Sequence, residues 1–390
     1  MNDLFVDMGY ISINKYGEQL CGDSVQTVRT NDDTTIMVIA DGLGSGVKAN
    51  ILSTLTSKII STMMAEGMTL EECVKTIAET LPLCKERGLA YSTFTIIRTL
   101  NNNEAEIIQY DNPMVILLRD GKNFEYPLNS RIIDGKKIYE TKISLKVNDV
   151  FIAVSDGALY AGVGEALNLS WQREDIIKFI EANYDSPLSA KVMASILSQE
   201  CARLYDNKHS DDTTISVVKI RKRQQVNLLI GPPAETKDES KMLSLFFAKD
   251  GKHIVCGGTT SSLVANFLGK KVIPSKEEDI IGVPPISYIE GVDLVTEGVL
   301  TISKVLEYAE EYLDFNNNQD EWSYRKDGAS QIARLLFEEA TDITFYVGRA
   351  VNPAHENPNL PFSFSIKMRI VDELVKCLKA MGKNIKVSYF

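Results

Sequence analysis

Nowhere in its 390 residues does the chain hold an apolar run of the roughly 18 residues that a bilayer span requires, so no membrane span is expected. The first ten residues, MNDLFVDMGY, have neither a basic segment nor a long apolar stretch, so a secretory leader is not expected either. No C-x-x-C pair occurs. The six cysteines, at 21, 73, 84, 201, 256 and 377, lie far apart, which suits free thiols in a reducing cytoplasm better than a disulfide framework or a zinc site. No basic stripe offsets the net charge of −11, and the cluster IRKRQQ at 220–225 reads as a strand end entering a linker. Nucleic acid is therefore not an expected partner. Repeats and low-complexity tracts are also missing. What is present is the composition of a soluble globular protein, 44% apolar and 24% charged, with length enough for two domains.

The boundary is expected at about residue 222, where the strand-like TTISVVKI ends in basic residues and a new apolar run, VNLLIGPP, begins. In residues 1–222, SVQTVRT and TTIMVIAD flank the turn cluster Asn31-Asp32-Asp33 and read as a hairpin. Helices are predicted from about 47 to 65 and from Thr69, where Thr69 and Glu72 have capping-box spacing. STFTIIRTL, AEIIQY and MVILLRDG read as strands, DVFIAVSDG repeats the shape of IMVIADG, helices cover roughly 171–183 and 187–205, and DDTTISVVKI returns as a strand. Many antiparallel strands with helices in two pairs suggest two sheets covered on their outer faces by helices. Residues 223–390 alternate strand and helix, an α/β pattern.

The stretch IMVIADGLGSGVKANIL, 36–52, poses the functional question. Gly44, Gly46 and Ala49 fit the spacing of a dinucleotide-binding turn. Asp41 at the strand end argues against it, because a carboxylate there competes with a pyrophosphate for the same helix N-terminus. If the hairpin turn centres on Asp32, residues whose numbers sum to 64 face each other, and Asp23 stands opposite Asp41. Directly opposed Cβ atoms are about 4.5–5.5 Å apart. Two carboxylates that close repel, and a divalent cation offsets the repulsion. Asp156 ends another apolar strand, and Asp211 and Asp212 precede a third. If those two strands are antiparallel neighbours, all five acids converge. Oxygen ligands favour Mg²⁺ or Mn²⁺ over zinc.

ADGLGSGVKA, VSDGALYAG and SDDTTISVV resemble the three acidic motifs of the protein phosphatase 2C superfamily. The glycine-rich form of the first is similar to the bacterial branch typified by the stage II sporulation protein E phosphatases. CGDS at 21–24 and YDNPMVILLRDG fit the same branch, in order, over residues 1–220. The resemblance implies a four-layer α-β-β-α sandwich of two mostly antiparallel sheets, followed here by a smaller C-terminal α/β domain. It implies metal-dependent hydrolysis of phosphoserine or phosphothreonine in a protein substrate, with two Mn²⁺ or Mg²⁺ ions as cofactors. By position, Asp41 would bridge the metals and the Gly42 carbonyl would bind one. Asp156 and Asp211 would complete the coordination, Asp23 would act directly or through water, and Asp212 would lie behind them. Asp23 and Asp41 are thus the expected catalytic residues. Residues 1–222 would form the phosphatase domain, and 223–390 a regulatory or substrate-recruiting one. Family analogy points to bacterial stress or developmental signalling. The alternatives are a non-catalytic phosphatase-like sensor, a small-metabolite phosphatase on the same site, and the dinucleotide reading. The number of subunits is left open, a dimer being one option.

Some features have plainer readings. The branch's usual lack of a histidine after the Asp-Gly pair, and of an N-terminal arginine clamp, holds here; Lys15, Arg29 and Lys48 are only nearby basic residues, so the proton donor and phosphate clamp are unassigned. His209 reads as an exposed loop residue. CGGTTSS, 256–262, offers N–H groups to an anion, yet Thr259 to Ser262 are good N-caps and capping is the default reading. The Pro/Asn-rich 350–362 is a long loop with no legible chemistry.

Overall fold

The computed structural model describes residues 3–30, 33–80, 92–163, 171–275, 286–313, 321–350 and 363–390. The chain divides into two compact units, Met1–Lys222 and Arg223–Phe390. Asn31 and Asp32 of the turn cluster, and 351–362 of the Pro/Asn-rich loop, lie outside the described residues.

The first unit opens with strands β1 (Leu4–Ile13), β2 (Asp23–Arg29) and β3 (Thr35–Gly42), then helices α1 (Gly46–Ala65) and α2 (Leu70–Thr80). Strands β4 (Ser92–Leu100), β5 (Glu104–Tyr110), β6 (Ile116–Arg119), β7 (Lys122–Asn123), β8 (Asn129–Ile133), β9 (Lys136–Ser144) and β10 (Val150–Val154) follow. Helices α3 (Asp156–Leu159), α4 (Arg173–Asn183) and α5 (Ala190–Leu204) lead to the closing strand β11 (Thr213–Lys222). Two antiparallel sheets result, ordered β1-β11-β10-β6-β7 and β2-β3-β4-β5-β9-β8.

Strand β3 shows why the layers stack as they do. Successive side chains of a strand point to opposite faces. Met37 and Ile39 pack with Val6, Phe151 and Val218 of the other sheet, whereas Ile36, Val38 and Ala40 pack with Ile60 and Met64 of α1 and Cys73 and Val74 of α2. A strand covered on both faces reads as a continuous apolar run, as IMVIA does. On the opposite sheet, Ile152, Val154, Ile215 and Val217 face Ile176 and Ile180 of α4 and Met193 and Leu197 of α5. The unit is therefore the expected four-layer α-β-β-α sandwich.

The capping box forms as predicted: the Thr69 N–H donates to Glu72 Oε2 at 2.8 Å, and the Glu72 N–H to Thr69 Oγ1 at 3.3 Å. Strands β1, β7, β8 and β9 are not among the expected elements. The β8–β9 hairpin had a signal in Asp134-Gly135, both left-handed at φ 47° and 73°, the pairing that a tight two-residue hairpin turn demands.

The second unit comprises β12 (Gln225–Ile230), α6 (Glu239–Phe247), β13 (Lys252–Cys256), α7 (Gly258–Leu268), β14 (Ile273–Pro274), β15 (Ser287–Tyr288), β16 (Leu294–Thr296), α8 (Val299–Leu313), α9 (Gly328–Ala333), β17 (Asp342–Val347), α10 (Ser363–Ala380) and β18 (Asn384–Tyr389). Five strands run parallel in the order β16-β13-β12-β17-β18, with β15 and β14 added antiparallel beyond β16. Leu229, Val255 and Tyr346 pack against α6 and α7, and Leu228, Ile254 and Phe345 pack against α8, α9 and α10. Helices thus cover both faces, as the expected α/β class requires.

Candidate metal centre

The β2–β3 register pairs Asp23 with Asp41, the pairing that a turn centred on Asp32 demands. Strands β10 and β11 are antiparallel neighbours with Val154 opposite Ile215. Asp156, which opens α3, therefore meets Asp211 and Asp212, which lead into β11. The Ser155 N–H donates to the Thr214 carbonyl at 2.9 Å, and the Thr214 N–H to Ser155 Oγ at 2.8 Å, which locks the two strand ends together.

Backbone contacts hold the turn after Asp41. Ser92 Oγ donates to the Asp41 carbonyl at 2.8 Å, and the Gly42 N–H to the Gly22 carbonyl at 3.2 Å. A Cβ on Gly42 would sit 2.0 Å from the Ala49 carbonyl oxygen, so only glycine lets α1 start this close to the strand. Strands β2, β3 and β4 are antiparallel, so the glycines lie in no parallel strand–helix–strand unit and the dinucleotide reading has no framework here.

The five carboxylates act on one another. Asp23 is 4% exposed, and among the described residues neither of its oxygens has a hydrogen-bond partner of good geometry. Burial, then the Asp41 charge, push its carboxyl well above the usual range, and the nearby Thr214 and Ser155 hydroxyls only partly oppose this. Burial, then Asp156, Asp211 and Asp212, push Asp41 up to about 7. Asp156 is raised by burial and by Asp211, and Asp212 by burial despite the Lys15 N–H that donates to its Oδ1 at 3.0 Å. Burial and the charges of Asp23 and Asp212 also push the Cys21 thiol up. Burial is the main cause for each acid and no cationic side chain opposes it, so these groups are short of compensating positive charge.

Other residues of the motifs and their surroundings serve the frame. His209 is buried, not exposed: its Nδ1 lies 3.0 Å from Thr213 Oγ1 and its ring is 4.7 Å from that of Tyr205. The loop that positions Asp211 uses it as packing, which the polar sequence around it conceals. Arg29 lies over the Phe5 ring at 4.6 Å and donates to the Val6 carbonyl, which ties it to β1. In DNPMVILLRDG, Asn112 Oδ1 accepts from Thr93 at 2.6 Å, and Arg119 pairs in bidentate fashion with the fully buried Asp149, both contacts at 2.9 Å. Sequence reasoning missed the supporting hydroxyls of Ser92, Ser155 and Thr214. Ser155 alone carried a signal, as the residue just before an acid at a helix start.

Among the described residues, no three His, Cys, Asp or Glu side chains stand as a ready group for a metal ion. The donor chemistry nonetheless fits one. Two buried Asp23 oxygens lack partners, the neighbouring acids are raised by burial and mutual repulsion, and the set is all oxygen, as hard divalent cations prefer.

Residues 31–221 match the family model described as Stage II sporulation protein E (SpoIIE). The chain is 23% identical over 219 residues to Stage II sporulation protein E of Bacillus subtilis (strain 168), which covers 55% of this chain and 26% of that protein. It is 22% identical over 221 residues to the Priestia megaterium protein of the same name, which covers 55% of this chain and 36% of that one. The chain thus spans well under half the length of these curated relatives. Among solved structures, the PP2C phosphatase domain and a fragment of the regulatory domain of SpoIIE from Bacillus subtilis aligns with TM-score 0.48 and 21% identity, over 57% of this chain and 64% of that one. The resemblance read from the acidic motifs is thus matched by the family model for the first unit.

Proposed function

We propose, from the family match of the first unit and its gathered acids, that this unit hydrolyses phosphoserine or phosphothreonine in a protein with the help of two Mn²⁺ or Mg²⁺ ions. When bound, such ions lower the pKa of water and neutralise charge on a phosphoryl group. Asp41, the Gly42 carbonyl, Asp156 and Asp211 would hold them. Asp41 is fixed from behind by Ser92 through its own carbonyl. Asp23, as deeply buried as Asp212 at 4% exposed, would direct its two unpartnered oxygens at the ions or at water they hold. Asp212, tethered by the Lys15 N–H, would keep its neighbour Asp211 in place; its own N–H donates to Asp211 Oδ1 at 3.0 Å. Residues 223–390 would control or target the reaction.

The observation that carries this reading is the meeting of acids at adjoining strand ends, with no cationic side chain among the causes of the raised pKa values of Asp23, Asp41, Asp156 and Asp212. Release of phosphate from an aryl phosphate and from phosphopeptides should require Mn²⁺ or Mg²⁺ and stop with EDTA. Asp41→Asn should lower the rate by at least about 100-fold, the scale of losing a group that acts on the transition state. Undiminished hydrolysis by Asp41→Asn would contradict the assignment. Nucleotides and sugar phosphates hydrolysed faster than phosphopeptides would move the substrate to small metabolites.

A further inference from the structure

The second unit ends its parallel strands in a different chemistry. In open parallel sheets, ligands bind beyond the carboxyl ends of the strands, where the strand order reverses. That reversal falls between β12 and β17, which are followed by Gly231 and Gly348. Lys367 of α10 reaches this point. It is 9% exposed, its Nζ donates to the Gly348 carbonyl, and a methyl group on Gly231 would sit 2.7 Å from that Nζ. Among the described residues, no carboxylate pairs with it. A buried ammonium with a single carbonyl partner and no counter-charge is costly to keep.

The glycine-rich turn adjoins the same place. The Gly231 N–H donates to Thr260 Oγ1 at 3.0 Å. The capping expected of residues 259–262 does not occur. The N-cap of α7 is Gly257, in the left-handed half of backbone space at φ 111°, and no side chain caps the helix. The Ser261 and Ser262 hydroxyls donate backward to the carbonyls of Gly257 and Gly258. Among the described residues, the opening N–H groups of Gly258, Thr259 and Thr260 therefore lack intrahelical and capping partners. Gly231 thus lies next to both Thr260, in the first turn of α7, and Lys367. Gly298 also approaches Gly257, a methyl built on it lying 3.4 Å from the Gly257 Cα, so the exposed Glu297 stands beside the turn, its Oε2 accepting from the Gly298 N–H at 2.8 Å and its Oε1 left for a ligand.

We propose that this end of the second unit binds a phosphorylated small molecule carrying a vicinal diol, the chemistry that a nucleotide and a sugar phosphate share. The phosphate lies against the α7 N–H groups with Lys367 as its counter-charge, and Glu297 accepts from the hydroxyls. An anion beside Lys367 would offset the burial that lowers its pKa, by favouring the charged form. The site stands independently of the hydrolytic reading of the first unit.

The test is calorimetric titration of the full chain in EDTA with inorganic phosphate, AMP, ribose 5-phosphate and adenosine, repeated in an Asp41→Asn background. AMP and ribose 5-phosphate should bind saturably and adenosine should not; preference between the first two tells nucleotide from sugar phosphate. Lys367→Met should weaken both about 10- to 100-fold. Because that variant could simply disturb the fold, Gly258→Pro supplies a second probe. It removes one N–H at the first helical position, where proline is well tolerated. It should weaken both phosphate esters several-fold with an unchanged Tm. Glu297→Gln should weaken the diol-bearing ligands and leave inorganic phosphate alone. Binding of none of the phosphate compounds at millimolar concentration, or equal binding by wild type and Gly258→Pro, would overturn the proposal and leave Lys367 as an anchor for the Gly348 carbonyl.

Discussion

The two units solve one problem, what to place at the ends of buried strands, in opposite ways. In the antiparallel unit, the ends of β3 and β10 and the starts of β2 and β11 meet, and each brings an aspartate. In the parallel unit, the carboxyl ends of β12 and β17 lie side by side, and the nearby groups are a buried lysine and open N–H groups. Antiparallel pairing lets residues distant in sequence face one another with like charge. Parallel pairing gathers loops that lead into helix N-termini, where partial positive charge collects. Each arrangement leaves an excess of one sign, and on the two proposals made above each would be completed by a ligand of the other.

Not every buried acid of the first unit lacks a positive partner. Asp149 accepts from Arg119 twice and from the Lys146 N–H at 2.8 Å. Asp149→Ala strands the Arg119 guanidinium and should cost about 3–5 kcal/mol, read from denaturant midpoints. Asp41→Asn should act the other way in EDTA, because it removes a charge that its neighbours oppose. The sign follows from linkage. With Asp41 raised to about 7 from an ordinary carboxylate value, the folded state binds the extra proton between those values, so its stability is full at low pH and is lost as pH rises through about 7. The Tm of Asp41→Asn should therefore match wild type near pH 4 and exceed it at pH 8. Equal slopes of Tm against pH would break the picture of mutually repelling acids.

The smallest effect concerns helix starts. Thr69→Ala should cost about 1 kcal/mol, since the capping box of α2 is formed. Thr259→Ala, on the uncapped α7, should stay within about 0.5 kcal/mol. A cost as large as that of Thr69→Ala would show that the α7 turn is closed by its own side chains.

Much of the first unit was legible because strand periodicity and turn chemistry are local. A turn centre at Asp32 was enough to place Asp23 against Asp41, since pairing in a hairpin follows from its turn. The alternation of Ile36 to Ala40 between two cores could not be seen, because burial on both faces erases the polar half of the pattern. His209 and residues 259–262 misled for a common reason. A polar residue in a polar stretch reads as solvated or capping, and only tertiary contacts put His209 beneath Tyr205 or turn Thr260 toward Gly231. Lys367 gave no signal at all, since a lysine on an amphipathic helix normally faces water.

Uptake of divalent cations by the strand-end carboxylates is tested most directly by a calorimetric titration of the full chain with Mn²⁺ at pH 7.5. Wild type should bind two ions and release protons as it does so, and Asp41→Asn should lose at least one of the two events. Absence of Mn²⁺ binding to wild type, or an unchanged isotherm in Asp41→Asn, would contradict it.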